Sequence, residues 1–209
     1  MLSPLNPHPY IYKSSYDFNF QTVKNKVQDY IRHADEKIQK ENINTHEKDG
    51  AVTTVVLCKE DPPHNWEEFK SFREDWLYGK IDELWSMWRM MPMRRQLDSS
   101  WLNVHPTGGY TEEHHHQNVQ IAVSCYLDVP EGSGRFMVKN PLQVYKMNEP
   151  LVYDYYPNQY EWDYIDVKTN DVLFFPGWLT HKTEVNTVEN DRYITVSYTH
   201  LTLPTIYSV

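Results

Sequence analysis

The chain changes its rhythm near residue 99. Before it, apolar positions recur at helical spacing. In DFNFQTVKNKVQDYIRHADEKIQ, Phe20, Val23, Val27, Tyr30 and Ile31 fall three and four apart and mark one buried helix face. The run AVTTVVL (51–57) is short and β-branched, which predicts a strand. A second helix is expected from Asn65, with Glu68 as its capping-box partner and an apolar stripe of Phe69, Phe72, Trp76, Ile81, Leu84, Trp85 and Trp88. A stripe of this kind is core rather than cofactor contact. Pro92 ends the pattern. The segment 87–96, MWRMMPMRRQ, reads as a packed connection, or alternatively as a lid whose methionines and Arg94–Arg95 face a substrate.

From Ser99 onward the apolar runs become short: SWLNV, VQIAVSCYLDV, GRFMVKN, LVYDYY, EWDYIDV, DVLFFPG and DRYIT, broken by Gly, Pro, Asn and Asp. Many short strands with turn signals between them predict a sandwich or barrel. The expected organisation is an α-rich region over 1–98 packed on a β-structured core over 99–195. There is no internal repeat.

Composition narrows the function. A chain of 209 residues suffices for one well-cored domain or a domain with a helical annex. The net charge of −9 argues against general polyanion binding, nucleic acid included, and leaves room only for a local basic groove. No run of 18 apolar residues exists, so no membrane helix is expected. The opening MLSPLNPHPYIYK lacks the layout of a secretory signal, and Cys58 and Cys125 lie far apart. Two reduced thiols in a soluble cytoplasmic protein are expected, rather than a disulfide.

The candidate chemistry lies in TEEHHHQ. If that stretch is extended, side chains alternate, so His114 and His116 share a face, Glu112 joins them and His115 points away. A third ligand is expected from His181, which follows an apolar strand and the Pro176–Gly177 turn in NDVLFFPGWLTHKTEVN. Three protein ligands leave open positions for chemistry. Arg192 comes eleven residues later, and a guanidinium beside such a site suits a bidentate grip on a carboxylate. His8, His33, His46, His64 and His105 have no such context and are expected on the surface or at caps.

At SWLNVHPTGGYTEEHHHQNVQIAVSCYLDVPEGSGRFMVKNP and VKTNDVLFFPGWLTHKTEVNTVENDRYIT the sequence resembles the Fe(II)- and 2-oxoglutarate-dependent oxygenases, in particular phage-type members related to prolyl hydroxylases. The resemblance implies a double-stranded β-helix, a jelly-roll or cupin-like barrel, so the fold class expected is α+β. It implies iron held by His114 and His181, with Arg192 anchoring the far carboxylate of 2-oxoglutarate. Asn103 and Tyr126 are further candidates to hydrogen-bond that cosubstrate. Position 116 departs from the family, which carries a carboxylate there. His116 is favoured as the ligand, with Glu112 a distant substitute. The implied reaction consumes Fe(II)-bound 2-oxoglutarate and O2, releases succinate and CO2, and hydroxylates a substrate, with a protein side chain such as proline favoured.

A competing resemblance is to the cupins, through Gly108-x5-His114-x-His116 and the later Pro176-Gly177 and His181. Those include metal-binding proteins and enzymes that do not use 2-oxoglutarate. Against it, the acid expected after the histidine pair is Gln120, and Arg192 would have no assigned role. A third reading is a degenerate barrel that only binds a partner. The last residues, VSYTHLTLPTIYSV, resemble an in-frame sequencing-adapter translation. That implies a non-native tail over 196–209, a metagenomic and perhaps virus-encoded source, no weight on His200, and a final strand cut short after Arg192 with an unpaired edge.

Overall fold

A computed structural model of the chain describes residues 11–88, 97–141 and 161–200. The expected lid residues Pro92, Arg94 and Arg95, the run LVYDYY, His8 and the end of the tail lie outside the described residues.

The first described strand, β1 (Tyr12–Ser15), leads into the long helix α1 (Phe20–Glu41), with Phe20, Val23, Val27, Ile31 and Ala34 on its buried face. Asn42 in the left-handed conformation closes it, its N–H reaching back to the last carbonyls. β2 (Glu47–Lys48) and β3 (Val52–Thr53) follow. Only two residues of the expected 51–57 strand are extended; Val55–Leu57 turns into a 3-10 segment. The helix expected from Asn65 is also not uniform. Short 3-10 turns at Pro63–Asn65 and Glu67–Phe69 pass into a π turn over Phe72–Leu77, and only then into α2 (Tyr78–Met87). Its capping box does not form, because the Glu68 carboxylate pairs with Lys26 of α1 at 2.8 Å.

The remaining strands are β4 (Leu97–His105), β5 (Tyr110–Thr111), β6 (Val119–Asp128), β7 (Phe136–Lys139), β8 (Trp162–Ile165), β9 (Asp171–Pro176), β10 (His181–Thr183) and β11 (Arg192–His200). They form antiparallel sheets in the orders β1-β9-β6-β11-β4-β3, β10-β7-β8 and β2-β5. The N-terminal half carries α1 and α2 and also joins the barrel. Its strands β1 and β3 are edges of the main sheet, and β2 covers β5 at the mouth of the barrel.

β6 and β9 carry almost no polar alternation because both faces of the main sheet are covered. One face, with Leu102, Val104, Ile121, Val123, Cys125, Val172 and Phe174, packs on α1 and on Trp66, Phe69, Phe72, Ile81 and Trp85. The other, with Trp101, Tyr126, Leu173, Phe175, Ile194, Val196 and Tyr198, faces the barrel interior with Phe136 and Val138 of the smaller sheet. Cys58 and Cys125 are both free thiols. No described helix is long and apolar enough to cross a membrane.

The last strand is not cut short. β11 pairs with β4 on one side and β6 on the other through positions 196–199, and Val196, Ser197, Tyr198 and Thr199 are buried. The sequence there alternates inward Val196 and Tyr198 with outward Ser197 and Thr199, which is why the strand continues.

Gly177 ends β9 against β6. A Cβ there would stand 2.5 Å from the Val119 carbonyl oxygen and 2.6 Å from its Cβ, so the position accepts no side chain without a backbone shift. Gly177→Ala is expected to cost about 1–3 kcal/mol, the usual cost of overpacking. Urea unfolding measures it, and a loss below about 0.5 kcal/mol, the scale of an ordinary surface substitution, would refute this account of the corner.

Candidate metal centre

His114, His116 and His181 come together: their ligand-capable nitrogens all lie within 4.8 Å of one another. The stretch that carries the first two is not a continuous strand. His114 instead forms an isolated bridge with His181, its N–H donating to the His181 carbonyl at 3.0 Å and its carbonyl accepting the His181 N–H at 2.9 Å. The His116 N–H donates to the Gly177 carbonyl at 2.8 Å, which ties the second histidine to the β9 corner. His115 lines the same cavity but stays out of the cluster.

The hydrogen bonds of the rings decide which nitrogens are free. His114 Nδ1 lies 2.8 Å from the Glu112 carbonyl, and His181 Nδ1 lies 2.8 Å from the Leu179 carbonyl. A carbonyl only accepts, so both Nδ1 atoms carry the proton and both Nε2 atoms keep a lone pair. His116 Nδ1 is hydrogen-bonded to the Tyr198 hydroxyl, and its Nε2 is buried without a partner. A buried imidazole nitrogen with no partner is costly unless a ligand satisfies it. That nitrogen and the Nε2 atoms of His114 and His181, converging on one point, fit a divalent transition ion.

Burial also keeps these rings neutral, the state in which they ligate. It is the main cause that lowers His114 to about 4 and His116 to about 3, and it pushes fully buried His181 well below the ordinary range; the neighbouring imidazoles lower each further. Phe136 and Phe175 pack on the His181 ring at centroid distances of 5.4 and 4.8 Å and exclude water from it.

Glu112 does not join. Its carboxylate turns to Lys48 at 3.3 Å, while its backbone carbonyl serves His114. Asn103 and Tyr126 lie abreast, each paired with Ile194 of β11, and both line the cavity of about 990 Å³ that the triad opens into. The Asn103 Oδ1 is buried without a partner. Burial raises the Tyr126 phenol, and the Arg192 charge partly offsets that.

Arg192 is buried at the far end of the barrel face. Its guanidinium donates to the carbonyls of Ser133 at 2.5 Å, Gly134 at 2.9 Å and Glu184 at 3.1 Å, and to His105 Nδ1 at 3.1 and 2.7 Å. All its acceptors are neutral, and among the described residues no carboxylate pairs with it. Desolvation lowers it to about 10. His105 in turn places Nε2 2.9 Å from Thr111 Oγ1, and that hydroxyl donates to Glu47 Oε1 at 3.3 Å. A polarised chain thus runs from a buried cation to a carboxylate on the cavity wall.

Three histidines that looked uncommitted in sequence therefore surround the site. His105 is fully buried beside Arg192, His46 stacks on His114 with centroids 4.9 Å apart, and His64 holds Ser100 Oγ at 2.7 Å. None of the three carried a usable signal: His105 follows the expected strand SWLNV, and its partner Arg192 emerges only from the pairing of β4 with β11.

Residues 99–199 match the family described as "Putative 2OG-Fe(II) oxygenase". No curated protein matches the chain by sequence. Among solved structures, the chain is similar to HygX from Streptomyces hygroscopicus with nickel and 2-oxoglutarate bound (TM-score 0.54, 15% identity, 95% of this chain and 84% of that one). It is also similar to the viral collagen prolyl hydroxylase of Paramecium Bursaria Chlorella virus-1 in its 2OG complex (TM-score 0.52, 12% identity, 90% and 94%). A match to a 2OG-Fe(II) oxygenase-family oxidoreductase from Burkholderia pseudomallei spans 49% of this chain and 43% of that one, at TM-score 0.37 and 12% identity. The two fuller likenesses establish the fold as the double-stranded β-helix of these oxygenases.

An imidazole whose folded pKa lies below its unfolded value of about 6.5 binds its proton more tightly in the unfolded chain. Metal-free wild type should therefore lose stability relative to His116→Gln as pH falls from about 6.5 through about 3. Urea midpoints of the two proteins across that range check it, and parallel curves would contradict a ring held neutral by burial.

Proposed function

We propose that this chain is a 2OG-Fe(II) oxygenase, a family that its residues 99–199 match and that uses Fe(II), 2-oxoglutarate and O2, and a hydroxylase whose iron would be held by the Nε2 atoms of His114, His116 and His181. The observation that carries the reading is the convergence of three imidazoles, His181 buried and His114 and His116 half-buried, with Nδ1 engaged on each. The bound iron and 2-oxoglutarate supply the oxidising power. One oxygen atom of O2 goes to a substrate C–H and the other to succinate, with CO2 released. A protein side chain such as proline is the favoured substrate, a reading supported by the likeness to the viral prolyl hydroxylase.

The chain's own residues bind, orient and exclude water. The carbonyls of Glu112 and Leu179 fix the rings from behind, as outer partners of metal-bound histidines do. Phe136, Phe175 and Ile194 keep the interior dry. Arg192 anchors the far carboxylate of 2-oxoglutarate, exchanging carbonyl partners for it. A buried guanidinium with only neutral acceptors lacks a counter-charge, and a carboxylate supplies one. Asn103 and Tyr126 line the path between and offer polar atoms to the same molecule. Gly134 leaves room for this arrangement: at φ +94° a Cβ would stand 3.0 Å from Arg192 Nη1.

The covered state of Arg192 favours a second reading, a cupin-type metal protein that does not use 2-oxoglutarate. Anaerobic titration with Fe(II) and then 2-oxoglutarate separates the two. In the oxygenase a visible charge-transfer band grows in, disappears in His181→Ala, and in Arg192→Met needs at least about tenfold more 2-oxoglutarate, the loss of roughly one strong charge-assisted contact. Metal binding with no band in a folded wild-type protein would favour the cupin reading instead.

A further inference from the structure

The cavity wall holds a carboxyl group that the oxygenase chemistry leaves unused. Glu47, on β2, lines the wall of the same cavity as the triad. One of its oxygens accepts a hydrogen bond from Thr111 Oγ1 at 3.3 Å. Among the described residues no cation pairs with it. Lys48, its sequence neighbour, is committed to the Thr45 carbonyl at 2.7 Å and to Glu112 at 3.3 Å. The other basic group on that side of the cavity with a close acid, Arg73, is taken by Glu74 at 2.6 Å and by the His64 carbonyl. Burial raises the Glu47 carboxyl to about 7, with Thr111 and Lys48 lowering it less. That is the condition of an acid in a dry wall without a counter-ion.

The surroundings suit a cation. Trp101 and Tyr198 line the same cavity and meet edge to face at a centroid distance of 4.4 Å, and aromatic faces attract ammonium and guanidinium groups. The orientation of the carboxylate is fixed from behind. Arg192 donates to His105 Nδ1, so His105 donates through Nε2 to Thr111, and Thr111 must donate onward to Glu47. Each donor in this row has one direction open to it, and the row ends with an acceptor that faces the cavity.

We propose that Glu47 is the substrate-recognition residue of the cavity, receiving an ammonium or guanidinium group of the molecule presented to the three histidines. The assignment rests on the hydroxylase reading for the role of that molecule as substrate. The cation would complete a pair with a wall carboxylate that has no cation partner among the described residues, in a setting where desolvated charge pairs are strong. His105 and Thr111 are positioning residues, acting through Glu47.

The test uses the full chain, metal-free and loaded with Ni(II) and 2-oxoglutarate. Ligand-observed NMR at fixed ionic strength compares n-butylammonium and n-butylguanidinium with neutral n-butanol and butyramide. The expected result is at least about tenfold tighter binding of the cations, about one charge-assisted contact, with the preference lost in Glu47→Gln and reduced in Thr111→Val. A capped lysyl peptide and a free diamine then separate a polypeptide side chain from a small amine, and tighter binding of either supports the assignment and names its source. Equal binding of cations and neutral isosteres by wild type overturns it, as does a preference that survives in a folded Glu47→Gln. The charge-transfer band is read anaerobically on parallel samples of the same proteins loaded with Fe(II) and 2-oxoglutarate. A band without cation preference refutes this inference alone, and cation preference without a band refutes the hydroxylase reading alone.

Discussion

The reciprocal backbone pairing of His114 with His181 is the contact on which the site depends. It joins a loop that is barely a strand to the short strand β10, across a gap that no long ladder spans. Once those two residues exchange hydrogen bonds, both rings lie on one side. The Glu112 and Leu179 carbonyls, each two residues from the ring it serves, can then hold the Nδ1 protons. His116 follows from Gly177, whose missing side chain lets β9 close on Val119 and offers a carbonyl to the loop. The cluster is thus built from short-range turns braced by two cross-chain bonds, which is a stiffer support than three separate loops would give.

The charges divide along the barrel. The triad contributes no charge of its own, because position 116, where the resemblance leads one to expect an acid, is an imidazole. Among the described residues Arg192 sits at one end without an acid, and Glu47 at the cavity wall without a base. Between them His105 and Thr111 transmit hydrogen-bond direction without carrying charge. Leaving opposite charges unpaired in a dry interior costs stability. Such an expense is common where a protein is shaped to bind ions rather than to be stable alone.

The sequence made the histidine pair and the distal histidine legible because period-two alternation and the Pro-Gly turn are local signals. The β-rich second half was legible for the same reason. Two elements of the first half were misjudged where local pattern competed with tertiary context. AVTTVVL is β-branched throughout, yet only Val52 and Thr53 have a neighbour to pair with, so the rest coils under α1. The stripe from Phe69 to Trp85 is core as expected, but it is reached through 3-10 and π turns that keep the aromatic rings inward where one continuous α-helix would rotate them away. Glu47 and His105 were invisible for another reason. Their partners Thr111 and Arg192 lie 64 and 87 residues away, and the links exist only after the sheets assemble.

The place of β11 in the main sheet bears on how the molecule comes into being. It is the last described strand, yet it lies in the middle, with β4 and β6 on its two sides. Until residues 192–200 have been synthesised and inserted, the two halves of the sheet have no shared ladder, and the barrel face that carries Asn103 and Tyr126 is split down its centre. Nascent chains would therefore wait with two exposed strand edges facing each other across a vacant slot. Such edges invite pairing with other chains, and closing them requires contacts of long sequence separation, which form slowly. The passage from ribosome to folded protein thus turns on one strand whose two neighbours are made long before it.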